Sequence, residues 1–156
     1  MEHRSNAAIA PAGDLGLVPP VLQIGEDSRL PREAVRDLQI VGIRRSNLLL
    51  EGPAGAIRAA LGRLWPGPDE PMLVWSPGQP LELPPTGRVA TLLLCDVSEL
   101  TLHDQLRLLR WLDQAVGRIR VVSTSAVPVW PLVNAGRFND VLYYRLNTVC
   151  VDLSGL

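Results

Sequence analysis

Five short strand-like runs, most of them rich in apolar residues and separated by longer stretches that include helical patterns, constrain the fold of this chain more than any other feature. They cover residues 47–51, 71–75, 89–97, 118–126 and 147–153. A strand that is buried on both faces has such a composition, because neither face meets water. Strands that alternate with helices form a parallel sheet with helices on both faces. The sequence therefore predicts an α/β fold with a mostly parallel five-stranded sheet.

Helical periodicity occurs in the segments that connect these strands. Residues 31–43 and 56–65 carry apolar side chains at helical spacing, and residues 130–138 have the pattern of a short helix or turn. The strongest pattern spans residues 98–117, where Thr101 is a suitable N-cap with Asp104 three residues further on. The apolar stripe expected on this last helix consists of Leu102, Leu106, Leu109, Leu112 and Val116.

The composition of the first part of the chain differs from that of the rest. Residues 1–31 are rich in Pro, Gly and Ala, which favours a poorly ordered N-terminal arm. The chain has 156 residues, which is enough for one domain with its own core. We therefore expect a single folded domain at residues 32–156.

Charge and cysteine content restrict the function and the compartment. The net charge is −1 and every basic side chain other than the two histidines is an arginine, so charge does not support non-specific nucleic-acid binding and no lysine amine is available. Cys95 and Cys150 lie in apolar runs, which predicts small buried side chains in a reducing compartment. The start of the chain has no signal-peptide pattern and no run is long enough to span a membrane, so we expect a cytoplasmic protein.

Three segments together resemble one protein family. They are GPAGAIRA at 52–59, TLLLCDVSEL at 91–100 and GRFNDVLYYRLNTVCVDL at 136–153. In this order they resemble the AAA+ ATPase domain of bacterial sigma-54-dependent transcriptional activators, the sigma-54 interaction domain. The third segment is the most specific, because the family carries the pattern G-x-F-R-x-D-L-Y-Y-R-L-N there. The resemblance implies a three-layer α/β/α core like that of P-loop NTPases.

The first segment corresponds to the phosphate loop of that family, G-x-x-G-x-G-K-[STE], but departs from it at two positions. Ile57 replaces the third glycine, and its branched side chain would crowd a phosphate. Arg58 replaces the lysine and keeps the charge in a wider, planar group. The resemblance thus implies a degenerate cofactor-binding loop at Gly52, Pro53, Ala54, Gly55, Ala56, Ile57, Arg58 and Ala59.

The second segment corresponds to the family's Asp-Glu pair, which serves the magnesium ion and the attacking water. The pair here is Cys95 and Asp96, and a thiol is a poor magnesium ligand. Asp96 is the remaining candidate catalytic carboxylate. The family's polar sensor at the end of the fourth strand falls near Ser125 and Ala126, so we expect it to be lost.

The third segment contains the other candidate catalytic residue. The resemblance implies two arginines that reach the nucleotide of a neighbouring subunit; the first corresponds to Asn139 and is replaced, and the second corresponds to Arg145. Arg145 is thus a candidate for a retained arginine finger. The alternative is a structural arginine that binds helix-end carbonyl groups or Asp140.

Other parts of the family's domain are missing from this sequence. The chain has no G-A-F-T-G-A sigma-contact loop and only about forty residues between the phosphate loop and Asp96. It ends at Leu156, where the helical lid would begin, so we expect the lid to be absent. No DNA-recognition helix is evident. We therefore expect neither direct sigma-factor contact nor direct DNA binding, because the sigma-contact loop and a DNA-recognition helix are both missing from this sequence.

These observations leave three hypotheses about function. The first is a catalytically inactive AAA+-like module without a bound cofactor, which regulates transcription through a protein partner, either itself or a true AAA+ activator. The second is a residual ATP-binding domain or weak ATPase that binds ATP and magnesium at low affinity. The third is a shortened relic that folds without a selected role.

Overall fold

A computed structural model describes residues 9–10, 36, 46–64, 72–83, 85, 91–115 and 119–154. The strands are β1 (Ile9–Ala10), β2 (Leu48–Glu51), β3 (Met72–Trp75), β4 (Thr91–Leu94), β5 (Arg120–Ser125) and β6 (Val149–Asp152). The α-helices are α1 (Ala54–Leu64), α2 (Leu102–Gln114), α3 (Trp130–Asn134) and α4 (Asp140–Leu146), and a 3₁₀ helix spans Val97–Glu99. Of the helix predicted at residues 31–43, only Arg36 lies within the described residues, and it is helical.

The sheet has the strand order β1-β3-β4-β5-β2-β6. The strands β2 to β6 are parallel, and the two-residue strand β1 pairs antiparallel with the edge of β3. The predicted α/β fold with a mostly parallel five-stranded sheet is therefore confirmed. The short sixth strand comes from the predicted N-terminal arm, and the rest of residues 1–31 lies outside the described residues.

Helices cover both faces of the sheet, as the apolar composition of the strands predicts. On one face, Leu48 and Leu50 of β2 pack in a cluster with the buried side chains of α1. On the other face, Leu49 packs in a second cluster with side chains of α2 and α4. Each fully buried leucine of this kind stabilises the fold by about 1.5–3 kcal/mol through the hydrophobic effect. Burial on both faces explains why the strand runs show no polar alternation.

The face that α2 turns toward the core differs from the predicted apolar stripe. Its buried side chains are Gln105, Leu108, Trp111 and Leu112, whereas Leu102 is 55% exposed and Leu106 is 45% exposed. The prediction that Leu102 and Leu106 face the core was wrong, and Val116 lies outside the described residues. The helix is rotated so that a glutamine enters the core, and the hydrogen bonds of that glutamine explain why this is tolerated.

Side-chain caps define the starts of α2 and α4. Thr101 accepts a hydrogen bond from the Asp104 backbone N–H at 3.1 Å, which confirms the predicted cap. Asn139 caps α4 by accepting from the Leu142 N–H at 2.8 Å. Helix α4 was not predicted, although the cap residue gave a local signal for it. None of the helices within the described residues is long and apolar enough to cross a membrane.

Candidate functional site

The candidate site is a cleft at the carboxyl ends of the parallel strands, the edge at which open α/β sheets bind their ligands. The ends of β2, β4 and β5 meet there, and the cleft has a volume of about 180 Å³. It therefore brings Arg58 of the first segment and Asp96 of the second segment together. The residues that line it are Ala54, Ile57, Arg58, Leu61, Cys95, Asp96, Thr124 and Ala126.

The segment that matches the phosphate loop is largely helical. Helix α1 begins at Ala54, so six of the eight matching residues lie inside it. The Ile57 N–H donates to the Pro53 carbonyl oxygen at 3.0 Å, which is a bond of the helical i to i−4 type. From Ile57 onward the backbone amides are therefore held within the helix. A loop that cradles phosphate needs these amides directed at the ligand.

The two glycines of this segment have different surroundings. Gly52 has φ +146°, and a Cβ added there would come within 2.9 Å of the Leu153 Cβ and 3.0 Å of the Leu153 carbonyl carbon. Its N–H donates to the Ser125 carbonyl oxygen at 3.0 Å. A Cβ added at Gly55 would meet nothing within 4 Å. The close packing between the end of β2 and the end of β6 therefore explains why this position is a glycine, and no bound ligand is needed to account for it.

Asp96 connects the ends of β4 and β5. Its backbone is left-handed, with φ 54° and ψ 64°, and its N–H donates to the Thr124 hydroxyl oxygen at 3.0 Å. Its Oδ1 atom accepts from the Ser98 hydroxyl at 2.8 Å and from the Ala126 N–H at 3.3 Å. Asp96 thus lines the cleft, while its N–H and its Oδ1 atom each make one bond that joins the ends of β4 and β5.

The two cysteines differ from the buried residues that the sequence predicted. Cys95 is half-buried in the cleft, and burial is the main cause that raises the pKa of its thiol, against a hydrogen bond with Ser76. Cys150 is exposed on β6, so the prediction of burial was wrong for it. The pKa of Cys150 is raised to about 11. Partial burial of the thiol is the largest cause, and the nearby carboxylates of Glu51 and Asp152 are the smaller ones. Both thiols are therefore protonated at neutral pH, a form that binds metals poorly.

Metal ligands do not cluster elsewhere in the part of the chain that the structure describes. No group of three or more His, Cys, Asp and Glu side chains there could hold a metal ion. In the cleft, Cys95 offers a neutral thiol and Asp96 a carboxylate that is already hydrogen-bonded. These two groups are a weak donor set for magnesium, which takes hard oxygen ligands.

Arg145 lies at the amino ends of the parallel strands, whereas the cleft lies at their carboxyl ends. Its carbonyl oxygen accepts from the Asn47 side-chain amide at 3.0 Å, and Asn47 immediately precedes β2. The four residues of β2 separate this edge from Gly52, about 13 Å at roughly 3.3 Å per residue. Arg145 therefore cannot act on its own chain's cleft, and a finger role would require a second copy.

The ion-pair partner of Arg145 also differs from the sequence-based alternatives. Its Nη1 atom lies 2.6 Å from the Oδ1 atom of Asp113, near the end of α2. The structural interpretation named Asp140 or helix-end carbonyl groups instead. The side chains of Arg145 and Asp113 are 35% and 58% exposed, so the pair is half in solvent and joins α2 to α4.

Sequence reasoning missed one buried polar residue that organises this part of the fold. Gln105 is fully buried, and its Nε2 atom donates to the carbonyl oxygens of Leu100 at 3.0 Å and Arg137 at 3.1 Å. Its Oε1 atom accepts from the Asn139 N–H at 2.8 Å. The side chain thus holds α2 against the start of α4. Nothing local to Gln105 in the sequence signals this, because two of its partners lie more than thirty residues away.

A family model of the sigma-54 interaction domain matches residues 27–156. Among solved structures, the chain is similar to NtrX from Brucella abortus in complex with ATP, with 22% identity and a TM-score of 0.62, over 78% of this chain and 36% of that chain. It is also similar to NtrX from Brucella abortus in complex with ADP, with 21% identity and a TM-score of 0.64, over 87% and 38% of the two chains. No curated protein matches the chain.

At these identities, the structural likeness establishes the α/β fold and no more. The chain spans less than two fifths of the length of either NtrX structure. The family model, by contrast, covers well over half of this chain and includes all three segments from which the resemblance was inferred. The chain therefore belongs to the sigma-54 interaction domain family, the AAA+ domain of sigma-54-dependent activators.

Proposed function

We propose that this chain is a catalytically inactive AAA+-type module that acts in the cytoplasm, in transcription control, through contact with another protein. The start of α1 at Ala54 carries the proposal. Because the amide of Ile57 is already bonded to the Pro53 carbonyl oxygen, the positions that would cradle phosphate are held inside a helix. To bind a triphosphate, the first turn of α1 would have to unwind.

The size of the cleft supports the same proposal. Its volume of about 180 Å³ is below the roughly 300–1,000 Å³ that is usual for small-molecule sites. The Ile57 side chain forms part of its wall at the position where the family has glycine. Bound nucleotide would therefore have to displace a side chain as well as helical backbone.

The acidic residue of the cleft has a structural role that needs no nucleotide. Asp96 Oδ1 accepts two hydrogen bonds, a local one from the Ser98 hydroxyl and one from the Ala126 N–H that joins the ends of β4 and β5. A carboxylate that accepts such bonds is less available to a metal ion or an attacking water. Cys95, beside it, contributes a protonated thiol in place of a second carboxylate.

Two measurements on the purified chain test the proposal. Calorimetric titration with ATP and magnesium should detect any dissociation constant up to about 1 mM, or roughly −4 kcal/mol, and we expect none. A phosphate-release assay should give no turnover above background. Turnover that Asp96→Ala abolishes would refute the proposal. A double variant, Ile57→Gly with Arg58→Lys, is the matched control, and ATP binding by this variant alone would locate the defect in the loop.

A residual ATP-binding function is the second candidate. The specific observation in its favour is that Arg58 and Asp96 line one cleft, so a cation and a carboxylate face the same space. This candidate requires magnesium-dependent ATP binding that Arg58→Ala weakens.

For the inactive module, we propose a protein partner, which is either a second copy of this chain or a complete AAA+ activator. We do not propose direct contact with sigma factor or DNA.

A further inference from the structure

The strand β6 forms an open edge of the sheet among the described residues. It is the last strand in the sheet order, and it pairs with β2 on one side only. The N–H groups of Val149 and Leu153 donate to the β2 side, at 3.1 Å and 2.7 Å. In a parallel pair, the backbone groups of the alternate residues, Cys150 and Asp152, therefore point away from the sheet. An edge of this kind is a template for a further strand.

An exposed aromatic surface lies near this edge, because the side chain of Tyr143 is close enough to Cys150 of β6 to interact with it electrostatically. The ring of Trp130 lies 5.5 Å from that of Tyr143 and 6.3 Å from that of Tyr144, and the two tyrosine rings are 5.5 Å apart. Trp130 is 44% exposed and Tyr144 is 61% exposed. Rings at these separations touch one another and leave no hole between them, so they present outer faces rather than a cage. We call these three residues the aromatic surface.

Two carboxylates, Glu51 and Asp152, lie at the end of β6 that is near the aromatic surface. The Asp152 Oδ1 atom accepts from the Ser154 N–H at 2.8 Å, so the second oxygen of this carboxylate is the one that could bind a ligand. Glu51 accepts from the Val129 N–H at 3.0 Å, which places its side chain next to Trp130. Partial burial is the largest cause of the raised pKa of Cys150, and the carboxylates of Glu51 and Asp152 raise it further. Burial is also the main cause that raises the pKa of Tyr143, and Glu51 adds to that increase. Two acidic side chains thus lie at this end of β6. The nearby cation of α4, Arg145, is held by Asp113 on α2.

We propose that the outer edge of β6, the aromatic surface, Glu51 and Asp152 form a docking site for an extended, arginine-bearing segment of a partner protein. A strand added to β6 would run about 4.8 Å from it. Alternate side chains of that strand would then lie on the same face as Cys150 and Asp152, beside Tyr143. A guanidinium group at this position would contact two kinds of partner. The faces of aromatic rings attract cations, and carboxylates form charge-assisted hydrogen bonds with guanidinium.

This inference rests on the proposed function only in the claim that the chain acts through protein contact. The probe is a fluorescently labelled peptide of about six residues in which valine and arginine alternate, so that it favours an extended strand. Its binding to the full chain is followed by fluorescence anisotropy. A peptide in which glutamate replaces arginine controls for charge. A peptide with alternate backbone N-methyl groups controls for strand pairing.

Two variants locate the site, and a third is the control. Tyr144→Ala removes the most exposed ring, and Glu51→Gln with Asp152→Asn removes two charges while leaving an acceptor oxygen at each position. We expect saturable binding of the arginine peptide, weakened at least fivefold by each of these changes. The matched control is Leu102→Ala, which truncates a similarly exposed apolar side chain on α2 and should change binding less than twofold.

Several results would overturn the proposal. They are the absence of saturable binding, equal binding of the glutamate or N-methylated peptide, and unchanged binding by Tyr144→Ala. Self-association without peptide that Tyr144→Ala abolishes would assign the surface to a second copy instead. ATP turnover measured on the same samples tests the proposed function separately, so a failed docking site and an active ATPase give different results.

Discussion

Substitution of alanine for each of the two glycines of GPAGAIRA should change the stability of the protein in opposite directions. This contrast tests whether α1 begins at Ala54. At Gly55 the backbone is helical, and an added Cβ meets nothing within 4 Å. Alanine there should stabilise the protein by about 0.5–1 kcal/mol, because it reduces the backbone entropy lost on folding. For a domain of this size, that corresponds to a rise in Tm of roughly 1–4 °C.

At Gly52 the same substitution should be strongly destabilising. The residue has φ +146°, which costs about 1–3 kcal/mol for a side chain. The added Cβ would also come within 2.9 Å of the Leu153 Cβ and 3.0 Å of the Leu153 carbonyl carbon. Overpacking of this kind costs about 1–3 kcal/mol more, since backbone must move. The total is roughly 2–6 kcal/mol, a large part of a typical stability of about 5–15 kcal/mol.

The assay is urea unfolding of the wild type and of the Gly52→Ala and Gly55→Ala variants, followed by far-ultraviolet circular dichroism. The free energy of unfolding should rise for Gly55→Ala and fall steeply for Gly52→Ala. A loss of more than about 1 kcal/mol at Gly55 would mean that this residue is not helical, and would remove the main support for an inactive loop. A neutral Gly52→Ala would contradict the close approach of β2 to Leu153.

Two further predictions concern Gln105 and Cys150. Gln105→Leu should destabilise the protein by about 2–5 kcal/mol in the same unfolding assay, because three backbone groups lose their partners, one in a buried bond and two in part-buried bonds. Gln114→Leu on the exposed face should change the free energy of unfolding by less than about 0.5 kcal/mol. With Cys95→Ser as background, alkylation of Cys150 at pH 8 should be roughly a hundredfold slower than for an ordinary thiol and should rise until the pH nears 11; a rate that levels off near pH 9 would contradict the raised pKa. Because this pKa is raised in the folded state, its contribution to stability is present below about pH 9 and is lost as the pH rises toward 11.

The layered architecture could be predicted because its signals are local. The runs that became β2, β3 and β4 are largely apolar, and strands buried on both faces need such a composition. Thr101 indicated the start of α2 three residues from its partner Asp104. Asn139 carried an equivalent signal for α4, which the sequence reasoning did not use. The three family segments likewise indicated membership in the family without any knowledge of contacts.

The state of the candidate site depended on contacts that the sequence does not show. The pattern GPAGAIRA fits a damaged phosphate loop as well as it fits a helix, and only the bond between Ile57 and Pro53 distinguishes them. Arg145 could serve a neighbouring nucleotide or pair locally, and the structure gives it Asp113, thirty-two residues away. Each of these outcomes depends on which groups meet in space.

The sequence alone determined the order and type of most elements, because apolar periodicity and caps act over a few residues. Tertiary structure decided which face of α2 is buried. Gln105 enters the core, while Leu102 and Leu106 remain exposed, because Leu100, Arg137 and Asn139 supply its hydrogen bonds. A polar side chain is stable in a core only when such partners surround it, and two of these three come from a distant part of the chain.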